Sequence, residues 1–204
     1  MAGRVEEMIA RAGRAFSERD AELATKTIDL DAAVNRAEID IDEMCLRILA
    51  RRQPMASDLR FVTLVMKMVT DLERIADLAV NICERAIDLS RQEPFVVHAD
   101  IPKMGVLVES MVRDAIDALV SRSSEKAWEV IRRDDTVDEF YHRIFGELLD
   151  AMRAEPARVH ALIHVQSVAK WLERMADHAT NLAELVIFMV DGRDVRHPKE
   201  RGSG

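Results

Sequence analysis

Leu72-Glu-Arg-Ile-Ala-Asp-Leu-Ala-Val-Asn-Ile-Cys-Glu84 and Leu172-Glu-Arg-Met-Ala-Asp-His-Ala-Thr-Asn-Leu-Ala-Glu184 are two copies of one pattern, one hundred residues apart and identical at eight of thirteen positions. At the same offset, Val62, Val65, Val69, Leu72, Ala76, Ala79, Cys83 and Ala86 correspond to Leu162, Val165, Ala169, Leu172, Ala176, Ala179, Ala183 and Val186. Both sets step by three and four. That is a heptad seam, so each copy predicts a long helix packed at a shallow angle against near-antiparallel neighbours.

Working outward, the breakers are few: Gln53-Pro54, Glu93-Pro94, Ile101-Pro102, Glu155-Pro156 and Gly192. Between them six main helices are predicted, over about 3–19, 29–52, 57–91, 101–121, 124–153 and 157–190. Ser17, Ser57 and Ser123 or Ser124 are the expected N-caps. Residues 20–28 either continue the first helix or break it. Short links between long helices make each half an up-down-up bundle. The expected fold is therefore all-α: two tandem three-helix bundles over residues 1–97 and 98–191, with a disordered tail at 192–204. The first helix is expected to be shorter than its counterpart in the second half.

Composition agrees with this reading. Glycine and proline together number only 12, aromatic residues are 4% and 49% of the chain is apolar, which starves a sheet protein of turns and strand formers while supplying a real core. With 29 basic against 37 acidic residues the net charge is −8, so the surface repels nucleic-acid backbones and anionic lipid. No apolar run reaches a membrane span and the first 17 residues are too charged for a signal peptide, so a cytoplasmic protein without a span is expected. Cys45 and Cys83 lie in apolar patterns without Cys-x-x-Cys spacing and read as buried thiols.

Chemistry enters with the acids. Glu73, Asp77, Asn81 and Glu84 fall within about 80° of arc on a helix, bordering the apolar seam, and Glu173, Asp177, Asn181 and Glu184 repeat the arc. Like charges four residues apart destabilise a helix, so a cation is expected nearby. Arg74 and Arg174, bridging to Asp77 and Asp177, offer one; that alternative is a solvated face needing no ligand. The preceding helices weigh against it. In the fifth helix the seam Ala127, Val130, Asp134, Val137, Tyr141, Ile144, Leu148 contains an aspartate, with Asp138 one turn on. In the second, Asp31, Val34, Glu38, Ile41, Cys45 and Ile48 fit the same register with Asn35 in the place of Asp138, although a register through Ala37 spares Glu38. Unpaired carboxylates at seam positions are costly. Four or five carboxyl groups per bundle, without thiolates, suit magnesium, manganese, calcium or iron.

These segments, together with Ser57-Asp-Leu-Arg60 after Pro54, resemble the paired E(D)xxxD signatures of the PhoU family, over about residues 15–190. The resemblance implies multinuclear metal sites and a non-enzymatic, negative regulatory role in phosphate uptake and the phosphate-starvation response. It implies partners as well: the ATPase subunit of the phosphate ABC transporter and a PhoR-type sensor histidine kinase. A homodimer, peripheral to the membrane, is expected. Carried over by position, the metal ligands are Asp31, Glu73 and Asp77 in the first half and Asp134, Asp138, Glu173 and Asp177 in the second. Glu38, Asn81, Glu84, His178, Asn181 and Glu184 are possible additions, and the metal is one of magnesium, manganese, calcium, iron or zinc. Asn35 departs from the acidic pattern, and Leu78 stands where the second copy has His178. His178 is either a hydrogen-bond donor or an extra nitrogen ligand.

Two rival classes remain. A purely structural helical adaptor needs no metal. A di-metal carboxylate enzyme in a helical bundle would place Glu-x-x-His on two helices, and the sequence has no such pair. There is no GxGxxG, no GxxxxGK and no Ser-His-Asp candidate. His160 and His164, four apart, lack an obvious third zinc ligand. Trp128, Trp171, Tyr141 and the eleven methionines read as core or interface filling.

Overall fold

The computed structural model describes residues 1–93 and 98–195. Within them the chain forms seven α-helices and no strand: α1 Ala2–Glu18, α2 Ala21–Ile28, α3 Asp31–Arg52, α4 Ser57–Ser90, α5 Asp100–Ser121, α6 Ser124–Ala154 and, after a 3-10 turn at Pro156–Arg158, α7 Val159–Asp191. The two tandem bundles are present. In the first, α4 packs on α1, α2 and α3; in the second, α7 packs on α5 and α6.

The segment 20–28 is a helix of its own. Arg19 turns left-handed at φ 56° and ends α1, while Asp20 caps α2 by accepting from the Leu23 N–H at 2.9 Å. The Arg19 side chain then donates to the carbonyls of Leu89, Gln92 and Glu93, a cation on the negative end of α4. Helix therefore starts eight residues before the expected 29. It is tightened at Asp29 and Leu30, where the Leu30 N–H bonds Thr27 three residues back rather than four. The run Thr27-Ile28-Asp29 has poor helix propensity, and that is where the axis breaks.

Two expected caps are corrected. Ser17 lies inside α1, its hydroxyl bonded to the Gly13 carbonyl, and Ser57 is already helical behind Ala56, which makes no side-chain cap. Ser123 does cap α6, through the Lys126 N–H. Gly192 ends α7 at φ 69°, where a Cβ would sit 3.1 Å from the Arg60 guanidinium. The expected tail is described only to residue 195; 196–204, and the 94–97 part of the link between halves, lie outside the described residues.

Burial refines the repeat. The buried Ala24, Val34 and Cys45 match the buried Ala127, Val137 and Leu148, so α2 and α3 keep an offset of 103 to the second half while α4 keeps 100. The extra three residues are taken up between α3 and α4, where residues 53–56 are all non-helical. As expected, α1 is shorter than α5, with 17 residues against 22.

α4 and α7 lie side by side, as do α1 and α5. Both pairs are antiparallel. Arg60 stands over the Phe188 ring and Gln92 donates to His160 at opposite ends of α4 and α7, while Glu6 of α1 meets Arg113 of α5. One continuous apolar core, including Phe16, Ile75, Ile82, Met104, Met111, Met175 and Leu182, runs through both halves. Trp171 and Tyr141 pack against it, while Trp128 is 40% exposed. Both thiols are buried, and burial pushes the Cys83 thiol up to about 12.

Candidate functional site

Each half carries an acidic edge where its long third helix meets its second. On the first edge, Glu73 and Asp77 of α4 face Asp31, Asn35 and Glu38 of α3. The three partly buried acids Asp31, Glu38 and Glu73 all titrate above the ordinary carboxylate range, first because of burial. The charge of Asp77 adds to all three shifts, which places these groups within reach of one another. Glu38, open between two registers in the sequence, therefore belongs to this edge. Asp42, one turn further along α3, adds its charge to Glu38.

The Asn35 amide donates to Asp31 Oδ2 at 2.8 Å. The second oxygen of Asp31 and the carbonyl oxygen of Asn35 are buried with no partner, as is one oxygen of Asp42. Arg74 supplies only loose compensation, 3.6 Å from Glu73 and 3.7 Å from Asp77.

The second edge is built from Asp134 and Asp138 of α6 and Glu173 and Asp177 of α7. Burial, then the charges of Asp177 and Asp138, push the Asp134 carboxyl up to about 6. Asp177 is exposed as a residue, yet burial of its carboxyl and the neighbouring Glu173 raise it as well. The cation here is Lys170, one turn before Glu173, whose Nζ bonds both Glu173 oxygens at 2.7 and 2.6 Å. Its counterpart in the first half is Thr70. Lys170 is not among the candidates that the sequence offers, although its spacing of three from Glu173 is a signal for such a pair. Arg174 makes no ion pair among the described residues, so the expected bridge to Asp177 is not formed.

Seven positional ligands thus fall on two edges, three on the first and four on the second. The additional candidates divide. Glu84 lies 3.7 Å from Arg85. Asn81, Glu84, Asn181 and Glu184 stand one to three turns along their helices from the acidic pairs. His178 leaves the edge altogether: about 100° around α7 from Asp177, it faces α4, where its Nδ1–H donates to Asp71 Oδ1 at 2.9 Å. The structure thus decides for the hydrogen-bond donor, with a partner from the other half. Asp71 carries no signal of this role in the repeat, because its counterpart in the second copy is Trp171.

Does a cation fit? Oxygen donors without thiolates, repelling one another and with buried oxygens unpartnered, have the chemistry of a hard-cation site. As the side chains stand, no three His, Cys, Asp or Glu groups among the described residues enclose a metal-sized space. A cation on the second edge would compete with Lys170 for Glu173, and one on the first would find the unpartnered oxygens of Asp31 and Asn35. The one Glu-x-x-His of the chain, Glu139 to His142, is exposed on α6, with His142 bonded to the Asp138 carbonyl. His160 and His164 stack edge to face at 4.7 Å; His160 is held by Gln92 and the buried His164 leaves its Nε2 unpartnered. No helix among the described residues is long and apolar enough to cross a membrane.

The PhoU domain model matches the chain twice, over residues 1–86 and 101–186. A phosphate-specific transport system accessory protein PhoU homolog of Pseudomonas putida is 41% identical over 198 residues, covering 97% of this chain and 77% of the relative. The homolog of Aquifex aeolicus is 39% identical over 204 residues, covering 99% and 92%. The crystal structure of PhoU from Pseudomonas aeruginosa superimposes with a TM-score of 0.91 at 38% identity, covering 95% of this chain and 93% of that one. Two domain copies, a shared fold along nearly the whole chain and close relatives across its length leave one conclusion: this chain belongs to the PhoU family.

Proposed function

We propose that this protein is a phosphate-transport accessory protein that restrains phosphate uptake and the phosphate-starvation response. It acts in the cytoplasm by protein contact and catalyses no reaction. Its partners are the ATPase subunit of the phosphate ABC transporter and a PhoR-type sensor histidine kinase, and metal ions on the two carboxylate edges set its shape for them. The observation that carries the reading is the repeated edge, Asp31, Glu38, Glu73 and Asp77 against Asp134, Asp138, Glu173 and Asp177, in a chain whose relatives are named as phosphate-transport accessory proteins. A bound divalent cation supplies the charge that these acids lack and draws the second and third helices of a half together.

The test is genetic and analytical together. Deleting the gene should raise starvation-gene expression in phosphate-rich medium, and protein recovered from phosphate-replete cells should carry metal and the transporter ATPase. Unchanged expression in a strain with no second PhoU-family gene would refute the regulatory role. A second reading, an adaptor without metal, is favoured by one observation: Lys170 and Arg74 already lie on the acids, and no three donors among the described residues enclose an ion. Metal-free protein with full partner binding would select it.

A further inference from the structure

On the side of the core formed by α1 and α5, these two helices leave a cavity of about 300 Å³ between them. Its walls come from all four central helices and are apolar, with Phe16, Ile82, Val168 and Leu172 among them. Gly13 and Gly105 line it from α1 and α5, and a Cβ on either would meet nothing within 4 Å. Glycine is a poor residue in a helix interior. Here it does not permit a close helix approach; the missing methyl groups widen an open groove.

The charges at this groove are unequal. Glu109 is tied to Arg113, which also holds Glu6 at 3.3 Å. Arg14, exposed on the opposite wall, makes no ion pair among the described residues. The exposed apolar surface continues onto Val106, 68% exposed. An engineered apolar cavity of about 150 Å³ is enough for benzene. A chamber of twice that size with one uncompensated guanidinium matches a ligand with an apolar body and a single anionic head.

We propose that the groove between α1 and α5 binds a small monoanionic amphiphile of the fatty-acid kind. The chain lies between Gly13 and Gly105 and the carboxylate sits on Arg14. Because its walls belong to different halves, the ligand splints the two bundles together.

The probe is decanoate, kept below its micelle concentration, added to the full-length protein and followed by methyl NMR. Saturable shifts confined to Ile9, Ile82, Ile101, Val106 and Val168 are expected. Arg14→Ala should weaken decanoate about tenfold while leaving decanol unchanged, the loss of one charge-assisted bond. Gly105→Phe should abolish binding of both with helicity retained, and Gly13→Leu is the alternative filling variant should that one unfold. Shifts lying outside the groove, undiminished binding in the filled variant, or decylammonium binding as tightly as decanoate would each overturn the proposal.

Discussion

The first acidic edge and the second carry matching carboxylates on unequal supports. α6 is one unbroken helix wedged between α5 and α7, with Val130, Val137 and Ile144 fully buried. α2 and α3 together occupy the equivalent place but are tightened at Asp29–Leu30, and α3 rests mainly on α4, burying only Val34 and Cys45. The start of α5 and the residues just before it contribute to the difference. Asp100 reaches Arg143 of α6 at 3.4 Å and His98 reaches Glu147 at 2.8 Å. Duplication can thus retain ligand chemistry while the rigidity behind it diverges, and a site is only as preorganised as the helix that presents it.

The largest expected effect strikes that difference directly. Ile144 and Ile41 occupy equivalent positions, but Ile144 is fully buried and Ile41 partly exposed. Ile144→Ala should cost about 3 kcal/mol in denaturant unfolding and Ile41→Ala about 1 kcal/mol. Equal costs would show that α3 is as firmly seated as α6.

Metal titration sharpens the comparison next. On the metal reading, Asn35 costs the first edge the acid that Asp138 adds to the second, and Glu38 replaces it only from about a turn further along α3, so the second edge should fill first in metal-free protein. Asp177→Asn should lower total metal content more than Asp77→Asn, and Lys170→Thr should tighten the second site by roughly tenfold by freeing Glu173. Larger losses from Asp77→Asn would mean that Lys170 outweighs the additional acid.

Asp134 gives the third test. Its carboxyl holds a proton up to about 6 when folded, against an ordinary 3.8. A raised acid favours the fold below its unfolded value and loses that contribution as pH rises through the folded one. Metal-free protein should therefore lose stability between pH 3.8 and about 6, with Asp31, Glu38, Glu73 and Asp177 adding in the same direction. Asp134→Asn should flatten the thermal-melt profile and stabilise the protein at pH 7 by about 1 kcal/mol, discounted for solvent on its open side. A profile rising over that range in the metal-free protein would overturn this account of the second edge.

The smallest effect tests whether the halves are coupled. His178→Leu, which copies the first half, should cost about 1 kcal/mol by leaving Asp71 unpaired, and Asp71→Asn less. Non-additive costs in the double variant would report the bond, whereas additive ones would show that the halves meet through apolar contacts alone.

The features legible in the residues alone are those written in periodicity. A seam stepping by three and four, repeated after one hundred residues with few breakers between, permits little besides long helices in two similar bundles, and the acids on the seam border follow from the same wheel. Even the shorter first helix and the two buried cysteines can be read from apolar spacing. Features with local competitors are less legible: Ser17 competes as a cap with Asp20, three residues on and better placed, and the register of Glu38 rests on one alanine.

What tertiary structure alone decided are the relations between residues distant in sequence. Nothing around His178 names Asp71 as its partner, because a hydrogen bond across 107 residues depends on how α4 crosses α7. The carboxyl of Asp134 is raised by Asp177, more than forty positions away, and its low exposure is set by the packing of α6. The groove between α1 and α5 is lined from both halves, with Gly13 on one wall and Gly105 on the other, and no single helix foretells it. Periodicity is a property of one helix and survives in the string of residues; burial, repulsion and cavities are properties of helix pairs and arise when the chain closes on itself.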